Sequence, residues 1–169
     1  SEVLSLLQAG TDPASLAAVL ARQPVLNMLN ARYLIGSPDQ APIRNPNALG
    51  PAWFVRDVQW AKDADAEIQA VGGIDPRISA VVDERFHSTL KGDGNTDTLA
   101  QVTLTEYRTD RLTYTTRSTS GGVVVFSEIW YGPDWHASID GTPAEHVRAD
   151  YVLRAMDLPP GEHTVVFQL

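Results

Sequence analysis

A chain of 169 residues, 43% hydrophobic and 20% charged, is long enough for one domain with a buried core and too apolar to stay disordered. Its net charge of −8 repels phosphate backbones and gains nothing from anionic lipid headgroups, so nucleic acid is not an expected partner. The absence of cysteine removes disulfides, zinc ribbons and thiol chemistry together, and no apolar run approaches the ~20 residues that cross a bilayer as a helix.

Residues 1–30 read as a helical lead-in and residues 31–169 as a β-sandwich domain. "SEVLSLLQAG" puts Val3, Leu4 and Leu7 on one helical face, with Gly10 as a stop. "TDPASLAAVLARQ" follows, with Thr11 or Asp12 as N-cap and Pro13 at the first helical position, where its missing N–H costs nothing. Pro24 interrupts, and a short helix then runs into a strand over residues 32–35. No basic stretch followed by an apolar one opens the chain, so a signal peptide is not expected. The abrupt start at Ser1 and the finish in a strand read as a piece of something longer.

From Ser37 the pattern changes to turns and strands. "AWFVRDVQWA" is expected as one strand, from its aromatic and β-branched residues. "DADAEIQAVGG" is a short helix capped by Asp63, with Ile68 and Val71 inward and Gly72-Gly73 as its end. "ISAVVDE" is a strand. "KGDGNTD" lacks the glutamate and flanking helices of a calcium-binding loop and is expected as a mobile surface loop. Val102 and Leu104 alternate with Thr103 and Thr105, which gives a strand with one buried face. "GGVVVFSEIWY" is apolar on both faces, the mark of a central strand. Asp140-Gly141 is a hairpin signal between "WHASID" and "EHVRA", which Thr142-Pro143 can lengthen. "YVLRAMDL", the turn "PPGE" and "HTVVFQL" close the chain. Seven or more short strands with frequent turns predict a mainly β fold, an antiparallel, jelly-roll-like β-sandwich with short N-terminal helices.

The sequence carries no catalytic motif, and no cofactor or metal is expected. His87, His136, His146 and His163 are scattered, with no pair at zinc-site helical spacing. Ser127 lies outside any GxSxG pattern, and "VGGI" follows a helix rather than a strand, so neither a serine nucleophile nor a phosphate loop is supported. Glu128, Asp134 and Asp140 face each other as a glycosidase pair only by accident of folding.

Residues 127–141, "SEIWYGPDWHASIDG", hold the densest aromatic cluster. Alternation puts Glu128 and Trp130 on one strand face and Ile129 and Tyr131 on the other. Aromatic rings at a sandwich edge stack on sugars, because they offer flat apolar area with a polar rim. Trp130, Tyr131, Trp135 and Glu128 are therefore the candidate glycan-contacting residues. The alternative is that Trp135 packs the core and Glu128 meets Arg148 or Arg154. An acidic domain is expected to favour neutral or cationic glycans over phosphate-rich polymers.

"LNARYLI", "NPNALGPAWFV", "VVVFSEIWYGPDWHASIDG" and "YVLRAMDLPPGEHTVVF", in that order, resemble the C-terminal extracytoplasmic region of YfhO-type bacterial membrane proteins. The resemblance spans nearly the whole chain and rests on the string of four blocks. It implies that the domain sits on the outer face of a bacterial cell membrane, beside its own transmembrane region, in a protein similar in organisation to envelope glycosyltransferases. Catalytic carboxylates of such proteins lie in loops between membrane helices that this chain lacks, so the resemblance transfers no catalytic residue. Two functions stay open: an accessory domain contacting envelope glycan or lipid-linked sugar, and a structural docking module with no small-molecule ligand.

Overall fold

A computed structural model describes residues 13–35, 38–39, 41–132 and 134–169. The helix expected over residues 1–10 and its neighbouring Thr11 or Asp12 cap lie outside these. Helix α1 is described over Pro13–Leu20, and α2 (Pro24–Met28) has proline in its first turn. Strand β1 (Tyr33–Leu34) pairs antiparallel with β2 (Ile43–Arg44). Asn27 ties this region together: its side chain donates to the Leu20 carbonyl and accepts from the Asn45 amide. Ser127 donates to the Met28 carbonyl at 2.8 Å, and Met28 enters the main core, so the lead-in helices rest on the sheets.

The fold is mainly β, and nearly all of its pairing is antiparallel. One sheet has the order β11 (Val147–Ala149), β12 (Leu153–Leu158), β8 (Gly122–Ile129), β3 (Ala52–Phe54). The other has the order β10 (Thr142–Ala144), β9 (His136–Ile139), β13 (Gly161–Gln168), β7 (Arg111–Ser118), β6 (Gln101–Tyr107). Their facing sides share a core: Val124, Phe126, Met156 and Leu158 from the first meet Tyr114, Val165 and Phe167 from the second. Tyr114, Phe126 and Phe167 pack edge to face, with centroids 4.9 to 6.1 Å apart. Such pairs add roughly 0.5–1.5 kcal/mol each beyond their buried area.

A third layer covers the back of the first sheet. Strand β4 (Asp57–Ala61) pairs in parallel with β5 (Ser79–Asp83), and helix α3 (Ala64–Val71) connects them. Val81, Val82 and Val71 of this unit pack on Val123, Val125 and Ala155. The four-stranded sheet is therefore the middle layer. That position explains why residues Val123, Val124, Val125 and Phe126 are all fully buried, where a two-layer sandwich would expose every second one.

Three expectations need correction. Residues 52–61 form two strands, β3 and β4, in different layers. The chain turns between them because Val55 donates to the Val123 carbonyl while Arg56 and Asp57 both donate to Ile78. In α3 the inward residues are Glu67 and Val71, and Ile68 is half exposed. The return strand of the Asp140-Gly141 hairpin is Thr142–Ala144, with Thr142 opposite Ile139, so the turn is two residues long. Residues 145–149 instead lead into the other sheet through β11. Both turn residues have positive φ, 51° and 80°, as the hairpin signal requires.

The loop at residues 91–97 lies at the surface but is tied down. Asn95 is buried, and its amide donates to Ser118 Oγ and the Gly121 carbonyl, while its N–H donates to Val55. Asp97 accepts from Thr119 and Leu99 N–H groups, which hold its carboxyl below the ordinary range. Gly94 is needed here, because a β-carbon at that position would overlap the Arg56 carbonyl.

Candidate functional site

Strand β8 carries its irregularity at its end. Arg154 of β12 pairs with Phe126, but the next partner, Leu153, pairs with Ile129, so Ser127 and Glu128 bulge out of the ladder. Trp130 then donates its N–H to Val152 at 2.7 Å, and the chain leaves the sheet. Gly132 makes the following turn possible, since a β-carbon there would overlap the Trp130 ring. Trp135 stands at the entry to β9.

This route sets Trp130 and Trp135, both half-buried, into the walls of one open groove of about 520 Å³. Phe86, at the end of the short 3-10 turn Glu84–Phe86, forms part of the same wall and meets Trp130 edge-on at 6.0 Å. His136, Glu145 and His146 supply polar groups. The groove thus joins aromatic surface from both main sheets and from the third layer.

Beneath it lies an unusual arginine. Arg154 is 3% exposed, and its guanidinium sits 4.4 Å from the Trp135 ring centre and 5.1 Å from that of Phe167. Its Nε donates to the Ile129 carbonyl at 3.0 Å, but Nη1 is buried without a partner. No carboxylate among the described residues forms an ion pair with it. Burial pulls its pKa down, against the attraction of Glu128. His146, edge-on to Phe167 at 5.3 Å, is pushed down to about 4, first by burial and then by Arg154 and His136. Its imidazole is therefore neutral at pH 7, and its Nε2 is also buried without a partner.

The four candidate residues divide. Trp130 and Trp135 meet in the groove. Glu128 lines a separate cleft with Leu104, Tyr107 and Ser127, because the bulge turns it towards the open edge between the sheets. Tyr131 is 60% exposed and lines neither. The packing alternative holds for Trp135, which packs against the sandwich core, while Glu128 forms no ion pair with Arg148 or Arg154 and feels Arg154 only at longer range. Burial raises its pKa, with Arg154 opposing. Sequence reasoning missed Phe86, and placed His146 only among scattered histidines and Arg154 only as a partner for Glu128. Only Arg154 left a signal, as a lone cation inside the apolar run "YVLRAMDL".

Two other polar clusters serve the fold. His163 Nδ1 contacts Asp140 at 2.7 Å and Nε2 contacts the Pro160 carbonyl at 3.1 Å, so neither ring nitrogen is free to act as a base. Buried Glu67 accepts from Arg148 at 2.5 Å and from the Tyr151 N–H at 2.8 Å, and Asp150 accepts from Val81 at 2.8 Å. Among the described residues no three His, Cys, Asp or Glu side chains are placed to hold a metal ion.

The architecture defines a layered antiparallel β domain with an aromatic groove at the side of its sandwich. Comparison with protein-family models, with curated proteins and with solved structures finds no match.

Proposed function

We propose that this chain is a non-catalytic, glycan-contacting domain on the extracytoplasmic side of a bacterial membrane protein of YfhO type, serving an enzyme that handles envelope sugars. The observation that carries the reading is the groove itself, whose lining combines Trp130 and Trp135 with polar His136, Glu145 and His146. Sugar sites need this mixture: flat apolar area for the C–H face of the ring and a few polar groups for its hydroxyls. The membrane context is supported by the four-block resemblance alone.

The docking-module reading has its own support. Tyr33 and Ile35 are 62% and 70% exposed on the lead-in segment, with Val25 and Leu29 also exposed, an apolar set that a neighbouring polypeptide would cover. The two readings concern different faces and can both hold.

The test is a titration of the purified domain with neutral and acidic envelope-type oligosaccharides, followed by tryptophan fluorescence. Dissociation constants of roughly tens of micromolar to millimolar are expected, because an open groove buries little area and sugars give up good hydration. Trp135→Ala should abolish the response. A flat titration with every sugar up to millimolar concentration would leave only the docking module.

A further inference from the structure

Four large apolar side chains of the lead-in are exposed: Val25, Leu29, Tyr33 and Ile35, at 44%, 39%, 62% and 70%. Local geometry gathers them. Val25 and Leu29 are one helical turn apart at the end of α2, where the Leu29 N–H donates to the Val25 carbonyl, so they share a face. Leu29 and Arg32 line one cleft. Tyr33 stands opposite Arg44 in the β1–β2 ladder, and opposite residues of a ladder lie on the same side. The other side of that ribbon is already filled, because Leu34 and Ile43 pack on Val19 and Leu20. Ile35 follows Tyr33 by two residues, the spacing that returns to one face of an extended chain.

The charges around these residues differ from those of the rest of the chain. Arg22, Arg32 and Arg44 are all exposed, and between residues 13 and 50 the only carboxylate is Asp39. From residue 51 on, ten lysines and arginines stand against eighteen carboxylates. Even with Glu2 and Asp12 counted, the first fifty residues are neutral in a chain of −8. Two carboxylates of neighbouring elements reach this region. Asp75 shares a cleft with Arg22 but is paired with Arg77 at 3.2 Å. Glu128 shares a cleft with Arg32, and burial works against its charge.

We propose that this face rests on an anionic lipid surface, with Tyr33 and Ile35 in the interfacial layer and Arg32 and Arg44 on the headgroups. The inference stands apart from the groove, and it gives to lipid the face that the docking reading leaves to a polypeptide. Arginine has a long apolar stem and a forked head that donates to phosphate, so beside exposed apolar side chains it suits a boundary between hydrocarbon and phosphate. Tyrosine has the same division, an apolar ring with a polar tip, and gathers at membrane interfaces. A polypeptide partner accounts for the apolar residues alone. Anionic headgroups also account for the arginines that cluster here in an otherwise acidic chain. The net charge of −8 predicts repulsion, but attraction is set by charges within about 10 Å of the headgroups, and those further out are screened.

The test is flotation of the whole chain with vesicles of phosphatidylcholine alone and of phosphatidylcholine with an equal part of phosphatidylglycerol. The chain should bind the mixed vesicles, and added salt should weaken that binding. Arg32→Gln and Arg44→Gln should each lower the partition coefficient about fivefold. Tyr33→Ser combined with Ile35→Ser should abolish binding. All four positions are exposed, and circular dichroism checks that each variant folds. Tyr33→Trp should give blue-shifted emission on the mixed vesicles. No binding to mixed vesicles, or binding that these substitutions leave unchanged, would overturn the inference. Equal binding to both vesicle types would overturn the role of the arginines and with it the anionic surface. Dimerisation in sedimentation that Tyr33→Ser removes would overturn it in favour of a second copy of the chain. Any of these failures leaves the groove to be decided by its own glycan titration.

Discussion

Glu67 and Arg148, 81 residues apart in the chain, meet at 2.5 Å in the interior, the glutamate fully buried and the arginine 16% exposed. The contact fastens helix α3 to strand β11, and so the third layer to the edge of the middle sheet. Asp83 stands 3.8 Å from the same guanidinium, and Tyr151 donates its N–H to the other Glu67 oxygen. Glu67→Ala leaves Arg148 only the longer Asp83 contact and takes the acceptor from the Tyr151 N–H, and should cost about 3–5 kcal/mol, whereas a paired Glu67→Met, Arg148→Leu replacement should cost much less. Urea unfolding of the single and double variants measures this. Equal losses in both would mean that the network does not hold the layers through its charges.

The Asp140-Gly141 turn isolates a backbone effect from packing. Gly141 has φ +80°, and a β-carbon there would meet nothing within 4 Å. Gly141→Val should therefore destabilise by roughly 1–3 kcal/mol through conformation alone, and Gly141→Asn by much less. Gly121, at φ +67°, differs: its β-carbon would sit 2.5 Å from the Leu158 carbonyl, so Gly121→Ala should cost more than Gly141→Ala. Thermal melts of the four variants give the ranking, and an unchanged Gly141→Val melt would refute the turn assignment.

What was legible in the sequence is what one residue or a local period decides. Asp63 caps α3 as expected, accepting from the Ala66 N–H, and the two positive-φ turn residues follow from Asp-Gly. The apolar run at Val123 marked an interior strand because both faces are buried. The third layer stayed hidden because residues 52–61 are uniformly strand-forming, and only the distant Val123 carbonyl and Ile78 decide where the strand breaks. Ile68 was misplaced for a similar reason: burial of Glu67 depends on an arginine 81 residues away, which no helical period encodes. At the groove, the tryptophans were visible as a local cluster. Phe86 and His146 reach it from remote segments, and the bulge that parts Glu128 from Trp130 is a matter of register with β12.

Histidine titration should separate two environments. His163, held by Asp140 and the Pro160 carbonyl, has its pKa raised, first by the Asp140 hydrogen bond. Its contribution to stability is full below the ordinary value of 6.5 and is lost as pH rises through the higher folded value. His146, pushed down to about 4, behaves in reverse: its contribution is present above 6.5 and is lost as pH falls towards 4. Ring-proton shifts should place His163 above 6.5 and His146 well below it, and Asp140→Asn should lower only His163. A single shared titration near 6.5 would contradict both environments.

Asp150 adds a third dependence. Burial, aided by nearby Glu67, pushes its carboxyl up to about 7, while the Val81 N–H pulls the other way. The folded protein thus holds a proton that the unfolded chain has released, and stability falls as pH rises from about 4 to about 7. Asp150→Asn keeps an oxygen for Val81 and should flatten that part of the profile. Urea midpoints across this range for both proteins check it, and parallel profiles would show that Asp150 is ionised throughout.

The groove is tested most directly by the four tryptophan indole N–H signals during a glycan titration. Trp53 donates to the Pro76 carbonyl at 2.7 Å and Trp60 stacks on His87 at 3.6 Å, and neither is among the residues that line the groove. The account predicts that Trp130 and Trp135 shift together and saturate with added sugar while Trp53 and Trp60 stay still. Four unmoved signals at millimolar ligand, or shifts led by Trp53 and Trp60, would contradict it.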